Sequence, residues 1–177
     1  MRKLIESTLV SLDGVIESPD RWSLFDQEAT ELAMRELDNY DAFVMGRVTY
    51  ERLRVLWEPI TANPYIEKIN AMPKYVASQS IGEVTWNATL LGPDIVGAIE
   101  QLKAQPGKDL IKYGTSRLDA TLLRAHLVDE LRLWIMPVVV GAGQRVFEGV
   151  DTSSLQLELA DVRKLAGGSA ILTYLPR

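Results

Sequence analysis

Glycine followed at once by a cation, where an apolar run gives way to helical spacing, is an arrangement able to hold phosphate. Val44-Met45-Gly46-Arg47-Val48-Thr49-Tyr50-Glu51 has it. A helix N-terminus leaves N–H groups unpaired, and glycine lets a phosphate reach the backbone. Arg47 adds a charge-assisted contact. A plain strand-to-helix turn with an exposed arginine explains the spacing equally well. Ile111-Lys112-Tyr113-Gly114-Thr115-Ser116-Arg117-Leu118 repeats the design, with Thr115 also readable as an ordinary N-cap. Two such ends in one sheet suit the two ends of a dinucleotide. Ser11-Leu12-Asp13-Gly14 ends a third apolar run with a carboxylate able to hydrogen-bond a polar ring or relay a proton. Asp-Gly is also a common turn.

Other chemistries find no support. The 177 residues include no cysteine, which removes disulfides, thiol catalysis and cysteine-bound zinc. No metal-ligand spacing, nucleophile elbow or G-x-G-x-x-G fingerprint is legible. The single histidine, His126, falls near a helix C-terminus, where a capping role is expected. A net charge of −5 without a lysine or arginine cluster argues against nucleic acid. The apolar stretch after Met1-Arg2-Lys3 is cut by Glu6 and Ser7, and Leu133 to Gly143 is too short to span a bilayer. The expectation is a soluble, cytoplasmic protein with no membrane contact.

These turns need elements to hold them. Lys3 to Leu12, Asp41 to Met45, Lys74 to Ser78, Val84 to Asn87, Asp109 to Tyr113 and, interrupted at Pro137, Glu130 to Val140 read as strands. Asp26 is placed to cap a helix carrying Ala29, Leu32, Ala33 and Leu37. Gly46-Arg47 opens a helix with Tyr50, Leu53 and Leu56. Around Asn63-Pro64 a loop is expected, with a helical turn before Pro73. Pro93 lies in the first turn of a helix to about Lys103, and Leu118 to Leu127 form another. Leu155 to Leu165 and Ala170 to Leu175 form a hairpin around Gly167-Gly168. Strands alternating with helices, then a hairpin, predict one α/β domain over residues 1–177 with a central, mainly parallel sheet flanked by helices. Ligands on such sheets lie at the carboxyl ends of strands, where Gly14, Gly46, Gly114 and Gly141 fall.

In order along the chain these motifs resemble a known group. Ser11-Leu12-Asp13-Gly14-Val15-Ile16 is similar to the pattern of riboflavin-pathway pyrimidine reductases. Met45 to Glu51 resembles the strand-to-helix motif of dihydrofolate reductases. Tyr113-Gly114-Thr115 through Leu122-Leu123, Leu127 to Leu131, Pro137 to Gly143 and Phe147 resemble the C-terminal signature of the same group. The resemblance implies a dihydrofolate-reductase-like fold that binds NADPH and reduces a small heterocyclic substrate of pterin or pyrimidine type. Gly46, Arg47 and Thr49 would hold phosphates, with Ser78 and Gln79 near the adenosine end. Gly114, Thr115 and Leu118 would support the pyrophosphate and nicotinamide, and Gly141 and Gly143 would let the chain pass close to the ligand. Asp13 would be the catalytic carboxylate beside the substrate ring. Trp22, Phe25 and Glu28 (with Glu31 nearby) are the candidate substrate contacts, though Trp22 and Phe25 could equally cover the core. Riboflavin-pathway enzymes often add a zinc deaminase domain, for which this chain has no cysteines. The pyrimidine reductases usually carry a second glycine where Thr115 stands.

Leu131 to Met136 is apolar on both faces apart from Arg132, as a central strand buried by helices would be; Trp134 and Met136 are also residue types enriched at interfaces. The resembling group often forms homodimers through this region, so a homodimer is expected. The rival to an enzyme is a non-catalytic NADP(H)-binding sensor or structural protein that keeps the cradle without turnover.

Overall fold

The computed structural model describes residues 1–151 and 155–177. In chain order the elements are β1 (Leu4–Ser11), α1 (Gln27–Leu37), β2 (Tyr40–Gly46), α2 (Arg47–Trp57), α3 (Pro64–Ala71), β3 (Lys74–Ala77), β4 (Ala88–Leu91), α4 (Ile95–Ala104), β5 (Asp109–Tyr113), α5 (Arg117–Arg124), β6 (Glu130–Met136), β7 (Leu157–Lys164) and β8 (Ala170–Pro176). The strands form one sheet in the order β4-β3-β2-β5-β1-β6-β8-β7. Neighbours from β4 through β6 are parallel, and the β7–β8 hairpin adds antiparallel to β6.

Strand alternation divides the core into two layers. Leu4 packs with Val44, Leu110, Ile99 and Leu102 of α4, and Leu122 of α5. Its neighbour Ile5 points the other way, into Leu37 of α1, Phe43, Met45, Tyr50 of α2 and Ile69 of α3. Farther along α1, Ala29 and Leu32 pack on Trp134, Met136 and Ile171. So α4 and α5 cover one face, and α1 to α3 cover the other. Among the described residues, no helix is long and apolar enough to cross a membrane.

Several local expectations change. Asn63 accepts from Tyr65 N at 3.0 Å and Ile66 N at 3.2 Å. With Pro64 at the first helical position this starts a two-turn helix where a loop and one turn were expected. Residues 84–87 are not a strand. Trp86 and Asn87 take left-handed φ values of 61° and 52°, and the strand begins at Ala88. The Trp86 ring turns inward, its Nε1 donating to Asn70 Oδ1 at 2.8 Å. Asp94 caps α4 through Gly97 N at 3.0 Å, leaving Pro93 outside the helix. The helix of α5 stops at Arg124. His126 follows at φ 52°, its backbone N–H donating to Leu123 O. Strand β6 ends at Met136, because Pro137 cannot donate to a ladder. On α2 the inward stripe is Tyr50, Leu53 and Trp57, and Leu56 is exposed.

Candidate functional site

The chain leaves β2 through α2 toward β3 on one side of the sheet, and leaves β5 through α5 toward β6 on the other. Strands β2 and β5 are adjacent, and their helices lie on opposite faces. Connections therefore diverge between them, which opens a crevice at their carboxyl ends. Gly46 and Gly114 stand on either side of it. A Cβ on Gly46 would lie 3.7 Å from Ser116 Oγ and 3.9 Å from Leu118 Cβ, so the two helix starts meet. Gly46 is the N-cap of α2 and supplies no side chain to it. Arg47 lies on the first turn, exposed, with Nη1 3.0 Å from Glu51 Oε2. Thr49 is half-buried two positions on. Gly114 has φ +72° and nothing within 4 Å of where a Cβ would stand, so the turn needs glycine and faces open space. Ser78 and Gln79 follow β3, two strands from β5. Ser78 Oγ accepts from Ser80 N and Ile81 N, and Gln79 is exposed.

On the other side of β5, the loops after β1 and β6 are zipped together. Leu12 N donates to Val138 O, Ile16 N to Gln144 O and Val146 N to Gly14 O. Asp13 closes this zipper. Its carboxylate accepts from Ser11 Oγ at 2.7 Å, Val140 N at 3.1 Å and Gly141 N at 2.8 Å. The Ser11 hydroxyl first, then the two amides, hold its carboxyl well below the usual range. Asp13 is thus an ionised acceptor that fixes a loop and carries no proton to give near neutral pH. Gly141, at φ +89°, has open space beside it. Gly143 does not. A Cβ there would come 2.9 Å from Val15 Cγ1, so its close approach is to the protein's own chain.

The α5 turn rests on charges that the motif reading passed over. Ser116, not Thr115, is the N-cap, and it forms a capping box with Asp119. Asp119 accepts from Ser116 N, and its Oδ1 lies 2.8 Å from Lys112 Nζ. Lys112 also donates to the Gly114 carbonyl. Glu6 stands 3.7 Å from Lys112 Nζ, and all three side chains are at most 1% exposed. Burial pushes Glu6 well above the usual carboxylate range; Lys112 opposes this and Asp119 reinforces it. Burial also works against ionised Asp119, but Lys112 and its hydrogen bonds outweigh that and hold it low. The lysine thus stands between one carboxyl pushed up by burial and one held low by its partners. The sequence does carry a signal for it, since Glu6 and Lys112 are charged residues directly after the apolar pairs Leu4-Ile5 and Leu110-Ile111.

The candidate substrate residues lie on the α1 face. Phe25 stacks on Trp134 with ring centroids 5.6 Å apart, and Trp22 packs against the same cluster. Glu28 Oε2 accepts from Ala166 N at 2.7 Å, tying α1 to the β7–β8 turn. Tyr113, immediately before Gly114, meets Tyr65 hydroxyl to hydroxyl at 2.5 Å and packs edge-on to Phe43 and Trp57. Burial pushes the Tyr65 phenol up to about 12, so this pair is neutral. A cleft of about 360 Å³ between Lys3, Tyr40, Lys108 and Arg132 sits at the amino ends of the strands, away from these turns. Among the described residues, no group of three or more acidic, histidine or cysteine side chains could hold a metal ion.

The family model for the RibD C-terminal domain matches residues 2–171. The chain belongs to the RibD C-terminal domain family. It is 30% identical over 184 residues to the protein YyaP of Bacillus subtilis strain 168, covering 98% of this chain and 94% of that one. A putative riboflavin biosynthesis protein from Shewanella sp. PV-4 superposes with a TM-score of 0.77 at 21% identity, covering 99% of both chains. Dihydrofolate reductase from Enterococcus faecalis, solved with NADP(H) and RAB-propyl, superposes at 0.65 with 13% identity over 99% of this chain and 96% of its own. These two likenesses establish a dihydrofolate-reductase-like fold for this member of the RibD C-terminal domain family.

Proposed function

We propose that this chain is a single-domain, cytoplasmic, NADPH-dependent reductase of a small heterocyclic substrate of pterin or pyrimidine type. The observation that carries the reading is the crevice between β2 and β5, bounded by two adjoining helix starts and an open glycine turn at Gly114. Those residues fit a dinucleotide. The start of α2 has N–H groups without a side-chain cap, and Arg47 is exposed beside it. Gly46, Arg47 and Thr49 would hold phosphate, and Gly114, Thr115 and Leu118 the pyrophosphate and nicotinamide half. Ser78 and Gln79 would border the adenosine. The bound cofactor supplies the hydride.

The chain's own task is to orient two rings and exclude water. Ionised Asp13 pins Val140 and Gly141, giving the β6 loop a fixed edge beside the substrate position. It acts as an acceptor for a ring N–H rather than as an acid. Trp22, Phe25 and Glu28 on the α1 side, with the Tyr65–Tyr113 pair on the same sheet face, would supply polar and aromatic walls. We further propose a homodimer, through a surface other than Trp134 and Met136. Those two are 3% and 0% exposed and belong to the core of one chain. The opposite sheet face carries Leu133, Leu172 and Val162 in register, and Val162 is 57% exposed. Following NADPH oxidation against a panel of pterins, pyrimidines and quinones tests the activity. Binding without oxidation of any of them would favour the sensor reading.

A further inference from the structure

We propose that Lys112 and Asp119 are positioning residues that aim the Thr115 amide N–H into the crevice, where it receives a phosphate oxygen of the dinucleotide. The inference rests on the cofactor reading above and adds to it two buried residues outside the phosphate-binding motifs.

The geometry follows from one peptide plane. In a trans peptide the carbonyl and the following N–H point in opposite directions. Lys112 Nζ draws the Gly114 carbonyl inward. The Thr115 N–H, in the same plane, is thereby turned away from the cluster, and among the described residues it has no backbone partner. Asp119 completes the arrangement. It binds Lys112 at 2.8 Å and takes up the Ser116 N–H, which fixes the next plane as well. Ser116 Oγ accepts from Leu118 N at 3.3 Å. Among the described residues, Thr115 N–H and Arg117 N–H are the donors without a partner at this turn, and Thr115 N–H is the one whose direction the Gly114 carbonyl sets.

Charge points the same way. A lone aspartate at the first turn of α5 would repel an anion arriving there. Lys112, 1% exposed, cancels it from beneath, so the turn is rigid without being anionic. Glycine at 114 supplies φ +72° and leaves space for the phosphate. A turn held from below by a buried ion pair cannot swing its amide out of line when ligand leaves, which lowers the ordering cost of binding.

The test compares two ligands on the full chain. Adenosine 2′-phosphate engages only the α2 and Ser78 end, whereas NADPH spans both helix starts. Asp119→Asn should raise the Kd for NADPH roughly ten- to hundredfold, the cost of weakening charged hydrogen bonds. Its Kd for adenosine 2′-phosphate should stay within about twofold of wild type. Amide exchange at Thr115 to Asp119 in the ligand-free variant should speed up while that at the start of α2 does not. Ser116→Ala, a milder change, should shift the same readings in the same direction and keeps the test open if Asp119→Asn fails to fold. Equal loss for both ligands, or unchanged NADPH affinity, would overturn the positioning role. Wild-type protein that binds neither ligand would overturn the cofactor reading itself, and the two failures are told apart by that first titration.

Discussion

Gly46 lies against Ser116, so close that a Cβ on the glycine would touch the serine hydroxyl at 3.7 Å. This contact joins the start of α2 on one face of the sheet to the start of α5 on the other, across neighbouring strands β2 and β5. Two helix N-termini with one open glycine turn between them make a cradle for a ligand carrying more than one phosphate.

If Arg47 reads a phosphate that distinguishes the two nicotinamide cofactors, its loss is selective. Arg47→Ala should weaken NADPH about tenfold and NADH by much less, as a charge-assisted contact at an exposed site would. Parallel fluorescence titrations measure both, and equal loss would remove Arg47 from cofactor discrimination.

Asp13 is held ionised by Ser11 and two backbone amides. Asp13→Asn places an amide group against donors that need acceptors, so the β6 loop should shift and turnover fall while cofactor affinity is retained. Because the carboxyl lies so low, the wild-type kcat profile should show no break from Asp13 between about pH 5 and 8. A profile whose acid limb disappears in the asparagine variant contradicts this role.

Glu6 gives a stability prediction with a definite sign. Its folded carboxyl lies above its unfolded value, so folding takes up a proton. The stability linked to that proton is present at low pH and is lost as pH rises from the ordinary carboxylate range toward the raised folded value. Glu6→Gln mimics the neutral acid and removes the loss. Denaturant melts should show the variant gaining on wild type as pH is raised from about 5 to about 8; a constant difference would show that Glu6 is not protonated in the fold. Lys112→Met should cost about 3–5 kcal/mol in the same melts, because it strands Asp119 as a buried, unpaired charge.

Much of this was legible in the residues. Asp26 as a cap, Gly46-Arg47 as a helix start and the hairpin around Gly167-Gly168 follow from local chemistry, and each is observed. What failed depended on distant partners. Trp86 reads as a strand residue until Asn70 turns its indole inward. Gly143 reads simply as a glycine beside a ligand, and the Val15 side chain that also requires glycine there comes from a distant part of the chain. Thr115 and Ser116 are both good caps by type, and only Asp119 three positions past Ser116 decides between them. The Glu6–Lys112–Asp119 cluster brings Glu6 of β1 onto a lysine and an aspartate near the other end of the chain, so spacing alone could not assemble it.

The exposed sheet face predicts association. Sedimentation at micromolar concentration should show a dimer, and Val162→Glu, which puts a charge on that face, should shift it to monomer. A monomeric wild-type protein would contradict the dimer.

The central claim is that the crevice between β2 and β5 holds NADPH. Calorimetric titration of the full chain tests it most directly. The account predicts one saturable site per chain with a Kd in the range of roughly 1 μM to 1 mM, the span usual for enzyme ligands, and weaker binding by Arg47→Ala. No heat of binding from NADPH or NADH at several times the top of that range would contradict it.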